Sequence, residues 1–166
     1  MPESDERPFA VLDIDATLSD TRHRMHFIDK RPKDWDGFFA AGKDDAVLPE
    51  GLTVATSLAR AHDIIYLTGR PERIRKDTLD WLKQYRFPPG RLLMRGNADR
   101  RPSATMKLEK LAKLATERKI AVLVDDDVAV VRAAEKAGYP VLHADWALDE
   151  ETQPTLFEAQ ETEGRT

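Results

Sequence analysis

A chain of 166 residues is long enough for one domain with a full hydrophobic core, and 41% hydrophobic and 34% charged residues are ordinary usage for a chain that folds in water. It has no cysteine, which excludes disulfides, thiolate metal sites and a cysteine nucleophile, and no apolar run approaches the roughly 20 residues that span a bilayer. The net charge of -4 is uneven: residues 1–7 and 149–166 hold nine of the 30 acidic residues, whereas Arg70 to Arg101 holds ten basic against four acidic side chains, a bias that suits an anionic ligand.

Residues 1–7 read as a disordered lead with no apolar stretch of the kind a signal peptide needs, so a cytoplasmic protein is the expectation. Residues 8–13 follow as a buried parallel strand, Phe9, Ala10, Val11 and Leu12 running into Asp13. From 18 to 48 no strand-like run occurs. Asp34 can cap a helix whose Trp35, Phe38 and Phe39 fall on one stripe, so this stretch reads as a small helical cap insertion packed over the end of the first strand. Pro49 opens a helix that buries Leu52, Ala55, Leu58 and Ala59. Asp63 to Leu67 is a second strand, ended by Thr68, Gly69 and Arg70. Pro71 starts a helix with Ile74, Thr78, Trp81, Leu82 and Tyr85 at helical spacing.

Pro88, Pro89 and Gly90 break the chain before a short strand, Arg91 to Met94, and a basic loop, RGNADRRP. A helix with Leu108, Leu111, Ala112 and Ala115 inward leads to the strand Ile120 to Val124, and Asp125, Asp126 and Asp127 follow at once. A helix through Val131 and Ala134 ends at Gly138, a left-handed C-cap, before a last strand at Val141 and Leu142. Residues 147–166 form an acidic tail with at most a short helix around Leu156 and Phe157. Strands alternating with helices predict an α/β fold, a Rossmann-like doubly wound parallel sheet over residues 8–146, with 18–48 as the cap.

In a parallel sheet the strand ends share one edge, so Asp13, Asp15 and Asp125 to Asp127 converge there. Five like charges need a cation, and oxygen ligands without His or Cys favour a hard ion, Mg²⁺. An Asp beside such an ion can attack phosphorus, and a second Asp two residues on can protonate the leaving oxygen and then activate water. The Thr68 hydroxyl and backbone N–H groups near Gly69 suit phosphoryl oxygens, and Lys107 is the candidate fixed cation. Arg22, His23, Arg24 and His26 either face a bound phosphate or form a solvated helix face. Trp35, Phe38 and Phe39 fit packing of the cap better than base stacking. The gap from Met94 to Lys107 is too short for a second cap, so the site is expected to be open enough for a nucleotide or a chain end.

DIDATL at 13–18, TGR at 68–70, Lys107 and DDD at 125–127 resemble the four motifs of the haloacid dehalogenase (HAD) superfamily of phosphohydrolases, in order and spacing, over about residues 8–145. The resemblance implies that Asp13 is the nucleophile and that Asp15 is the acid/base and a Mg²⁺ ligand through its backbone carbonyl. It also implies that Thr68 and Lys107 bind the phosphoryl group, and that Asp126 completes the metal site with Asp125 in support. TGRPE, DTLDWL, LLMR and the Asp99–Arg101 loop are further similar to the 3′-phosphatase domain of bacteriophage polynucleotide kinase/phosphatase. That likeness implies Arg24 and Arg70 on the substrate phosphate, with Thr17 and Gly69 beside it, and Arg95, Arg100 and Arg101 lining the approach.

The chain departs from that pattern in several places. Ala16 stands where Gly is usual, Asp127 where an arginine is, and Ser103 and Ala104 where acids are; no GxxxxGK[ST] phosphate loop occurs. The implied activity is a Mg²⁺-dependent phosphomonoesterase working through an aspartyl-phosphate on a nucleotide or a nucleic-acid 3′-phosphate end, with no membrane partner. The alternatives are a phosphatase of a small phosphorylated metabolite and a catalytically silent binding module of the same fold.

Overall fold

The computed structural model describes residues 6–147 and 151–166, so most of the expected lead and residues 148–150 of the tail lie outside the described residues. Five strands pair in parallel in the order β5-β4-β1-β6-β7: β1 (Phe9–Leu12), β4 (Asp63–Pro71), β5 (Gly90–Arg95), β6 (Ile120–Asp125) and β7 (Val141–His143). Successive side chains of a strand point to opposite faces, and the apolar runs exploit both. Ala10, Leu12, Ile64 and Tyr66 join one core cluster with Ala55 of α2 (Pro49–Leu58) and Trp81 and Leu82 of α3 (Arg75–Gln84). Phe9, Val11, Ile65 and Leu67 join a second with Met106, Leu111 and Leu114 of α4 (Ser103–Glu117) and Val130 and Ala134 of α5 (Val128–Lys136). Helices on both faces make the sheet doubly wound, as the alternation of elements predicts. Each buried Leu or Phe contributes roughly 1.5–3 kcal/mol, so these two clusters hold the layers together.

The chain leaves β1 toward β4 on one side and later crosses to β6 on the other, so the strand order reverses at β1. Ligands bind at the carboxyl ends of the strands flanking such a switch point. Leu12 is in register with Val124, which brings the next residues, Asp13 and Asp125, out side by side.

Four expectations are corrected. The cap region contains two short antiparallel strands, β2 (Ser19–Asp20) and β3 (Ala46–Val47), each too brief to leave an alternation in the sequence. β4 continues through Thr68, Gly69 and Arg70 to Pro71 rather than ending at Leu67. The helix expected at Pro71 is a 3-10 turn, Glu72–Ile74, before α3 begins at Arg75. Between β2 and β3 lie a 3-10 turn, Arg22–Phe27, and α1 (Trp35–Ala40), whose N-terminal Gly37 N–H is capped by Asp34 as expected. Phe38 and Phe39 are buried with Met25 and Ile28 in a third cluster, so the aromatic stripe packs the cap. The tail is more ordered than expected: α6 (Gln153–Phe157) runs into a π-helical turn, Glu158–Thr162, and Leu156 and Ala159 are buried in that same cap cluster. No helix among the described residues is long and apolar enough to cross a membrane.

Candidate active site

Three carboxylates meet at the switch point. Asp13, Asp125 and Asp126 each offer an oxygen within 4.8 Å of the others. Lys107, in the second turn of α4, reaches across from the neighbouring layer, its Nζ donating to Asp13 Oδ1 at 2.8 Å and to Asp125 Oδ2 at 2.7 Å. Asp125 is fixed further by the Asp127 N–H, and Thr17 Oγ1 lies 3.2 Å from Asp13 Oδ2 and 3.4 Å from Asp126 Oδ1. Asp13, Asp125 and Lys107 are almost completely buried.

Burial sets the electrostatics of this group. It pushes the Asp125 carboxyl up to about 7, helped by the charge of Asp13 and opposed by Lys107. The same causes, burial first and then Asp13 and Asp125, raise Asp126 well above the ordinary carboxylate range. Burial alone would lower Lys107, but Asp125 and Asp13 outweigh it and hold the ammonium charged. One lysine does not balance three carboxylates packed this closely, so the group has the charge and the all-oxygen donor set of a hard divalent cation site.

Asp15 faces another way. Its Oδ1 accepts from Arg24 Nη2 and Arg70 Nε, both at 2.8 Å, and its Oδ2 accepts from Thr166 Oγ1 at 2.8 Å. Burial would raise Asp15, yet the two guanidinium groups hold it far below the usual carboxylate range. Both arginines also grip Asp45, a buried residue that local sequence did not single out. Arg24 binds it bidentately at 2.8 Å, Arg70 Nη2 lies at 3.1 Å and His23 Nε2 at 2.6 Å, while the Asp45 carbonyl accepts from the Trp81 indole. Arg24 and Arg70, the residues expected on a substrate phosphate, are both held by Asp15 and Asp45. Of the basic run expected after the first loop, Arg24 is buried and Arg22 pairs with Asp20.

The turn after Asp15 answers the question that Ala16 poses. Its φ is 61°, the left-handed region where glycine is favoured, and the Thr17, Leu18 and Ser19 N–H groups all return to the Ile14 carbonyl. Thr68 is buried at the carboxyl end of β4, with its hydroxyl accepting from the Arg70 N–H. Arg95 is also fully buried, donating to the carbonyls of Gly69 at 3.2 Å, Arg101 at 2.6 Å and Thr166 at 3.4 Å. Arg101 is drawn to Asp99 and Glu109, and Arg100 to backbone carbonyls of its own loop. Asp127, the departure at the third acid, caps α5 through the Ala129 N–H; burial and then the Glu161 carboxylate push its pKa up to about 8. The structure thus groups Asp13, Thr17, Lys107, Asp125 and Asp126, and sets Asp15, Arg24, Gly69, Arg70 and Arg95 in an adjoining layer shared with Asp45 and Thr166.

Comparison with known proteins gives the same reading. The family model for the polynucleotide kinase PNKP phosphatase domain matches residues 8–146. No curated protein matches the sequence. Among solved structures, a chain of the Pnkp1/Rnl/Hen1 RNA repair complex superposes with a TM-score of 0.69 at 21% identity, covering 85% of this chain and 43% of that one, so this chain spans less than half of that relative's length. A class C acid phosphatase from Bacillus anthracis, solved with tungstate bound, gives 0.61 at 17% identity over 93% and 80% of the two chains. A haloacid dehalogenase-like hydrolase from Streptococcus pneumoniae gives 0.60 at 13% identity over 93% and 91%. The sheet order, the acidic group at its switch point and the family match over most of the chain agree: it belongs to the PNKP phosphatase-domain family of HAD-like phosphoric monoester hydrolases.

Proposed function

We propose that the chain is a Mg²⁺-dependent phosphomonoesterase that forms an aspartyl-phosphate on Asp13 and acts on a nucleotide or a nucleic-acid 3′-phosphate end. The observation that carries this reading is the group of Asp13, Asp125 and Asp126 bound by Lys107. Its carboxylates, with the backbone carbonyl of Asp15, would hold Mg²⁺, which when bound would neutralise charge on the phosphoryl oxygens.

In the proposed cycle a carboxylate oxygen of Asp13 bonds to phosphorus as the ester P–O bond breaks. Asp15 gives the departing oxygen its proton. Asp15 then takes a proton from water, whose oxygen attacks the same phosphorus, so inorganic phosphate leaves and Asp13 is free again. Lys107 orients Asp13 through the bond from its Nζ to Asp13 Oδ1. Thr68 and Gly69, which follow the stretch of β4 paired with β1, would bind the phosphoryl oxygens. Asp15 as the structure holds it is a strong anion, so its acid half-cycle needs Arg24 or Arg70 to loosen toward the incoming phosphate; that exchange is how the two arginines would come to contact substrate.

A polyanionic substrate is supported by the rim. Burial, then the charges of Arg100 and Arg73, disfavour the charge of Arg165, so basic groups gather here, and Arg73 lies 5.2 Å over the buried Phe39 ring. The alternative substrate is a small phosphorylated metabolite. A panel of 3′-phosphorylated oligonucleotides, mononucleotides and sugar phosphates, assayed with and without EDTA, decides between them. The nucleic-acid reading predicts metal-dependent release and a preference for the oligonucleotide; a ten-fold or greater preference in kcat/KM for a sugar phosphate would overturn it.

A further inference from the structure

We propose, building on the phosphatase reading, that residues 151–166 form an autoinhibitory strap whose last turn occupies the substrate end of the site and must lift for a phosphate ester to enter. Three residues assigned to catalysis or substrate binding are each engaged by Thr166. Its hydroxyl donates to Asp15 Oδ2, its carbonyl accepts from Arg95, and its backbone lies so close to Gly69 that a Cβ placed there would sit 2.0 Å from the Thr166 carbonyl carbon.

The engagement of Asp15 bears directly on the chemistry. Arg24, Arg70 and Ser19 all bind Oδ1, and Thr166 takes the remaining oxygen, Oδ2, so no oxygen of Asp15 is left open to a substrate. The engagement of Arg95 points to an anion. Its guanidinium is fully buried and donates to the Gly69 and Arg101 carbonyls and to a main-chain oxygen of Thr166, with the Asp99 carboxylate at 3.9 Å. A phosphate arriving at this buried guanidinium would have to take the place of the Thr166 oxygen.

The rest of the segment is clamped from both sides of the site mouth. On the cap side, Leu156 and Ala159 are buried against Ala16, Met25 and Phe38, Lys33 pairs with Glu158 and Glu163, and the Arg165 guanidinium lies 4.8 Å over Trp35. On the other side, the Glu161 carboxylate accepts from the Ala104 N–H at the start of α4. Gly164 adopts φ +60°, and its Cα passes so close to the 96–102 loop that a Cβ would fall 2.1 Å from the Arg100 carbonyl oxygen. The strap therefore spans the cap and the basic loop, and its α6 forms one wall of the small cavity beside Asp126 through Thr152, Gln153 and Leu156. The hydrogen bonds of the strap lie at its Thr166 end and its apolar contacts at Leu156 and Ala159, a distribution that allows the last turn to peel away while α6 stays docked.

The test uses the full chain. Thr166→Val removes one hydrogen bond from the closed state at constant volume, worth about 1 kcal/mol, and is expected to raise kcat/KM for a 3′-phosphorylated oligonucleotide about five-fold. Gly164→Val cannot keep the left-handed turn against the Arg100 carbonyl and is expected to raise it further. Circular dichroism melts establish that each variant folds; if Gly164→Val does not, Thr166→Val decides. Active wild type with both variants equal or slower overturns the strap and leaves the phosphatase reading intact. Wild type and variants that all fail to release phosphate overturn the phosphatase reading and the strap with it. Activity that appears only in the variants supports both.

Discussion

Lys107 holds two carboxylates at once and is held by them, and the balance of the centre depends on it. Removing one partner of a buried ionic group costs far more than the pair contributes, roughly 3–5 kcal/mol, because the remaining charges have no solvent to turn to. Lys107→Met is therefore expected to lower unfolding stability by about that amount in urea titrations without metal, and to abolish phosphate release. The raised Asp125 has the opposite sign to an ordinary paired acid. Its folded pKa, about 7, lies above the unfolded 3.8, so it favours the fold at low pH and that contribution is lost as pH rises between those values. A divalent cation removes the cost of ionising it. The rise in Tm on adding Mg²⁺ should accordingly be larger at pH 7.5 than at pH 5; an equal or smaller rise at the higher pH would contradict the metal assignment.

Residues of this kind were unevenly legible. Asp13 and Asp125 announce themselves because each ends an apolar run, and a strand end is where a polar residue needs a reason. Asp45 does not, for it follows Asp44 in a charged loop, and one of the two neighbours is exposed while the other is fully buried. Only the long-range approach of Arg24, Arg70 and Trp81 distinguishes them.

Elements were legible in proportion to the length of their pattern. The sheet strands with continuous apolar runs and the amphipathic α2 to α5 follow from periodicity, whereas β2 and β3, two residues each, carry none. The chain leaves α3 through Arg86 at φ 58°, with its N–H returning to Lys83 and the Phe87 N–H to Leu82 while Phe87 stacks on Trp81. This is a helix end that favours glycine, occupied by an exposed arginine. Arg86→Gly should raise stability by about 1 kcal/mol, about 3 °C in Tm for a chain of this size, measured by a thermal melt. A lowered Tm would show that the arginine side chain contributes something the helix end does not explain.

Across the whole molecule, the doubly wound sheet brings Asp13, Lys107 and Asp125 together, and the cap and tail then close over the neighbouring Asp15. The contact between Asp15 and Thr166 joins residues 151 apart in sequence, so nothing local marks the acidic tail as part of the site. The tail's composition suggests a solvated segment, and its docking shows only in three dimensions, through Leu156 and Ala159 in the cap cluster and Thr166 on Asp15. The central claim is that Asp13 carries the phosphoryl group during turnover. It is tested most directly by mixing the wild-type chain with Mg²⁺ and a phosphate monoester radiolabelled at phosphorus, and quenching in acid within the first turnover. The account predicts protein-bound label that hydroxylamine releases and that Asp13→Asn does not acquire. Product formed in the first turnover with no label on the wild-type protein, or label retained by Asp13→Asn, would contradict it.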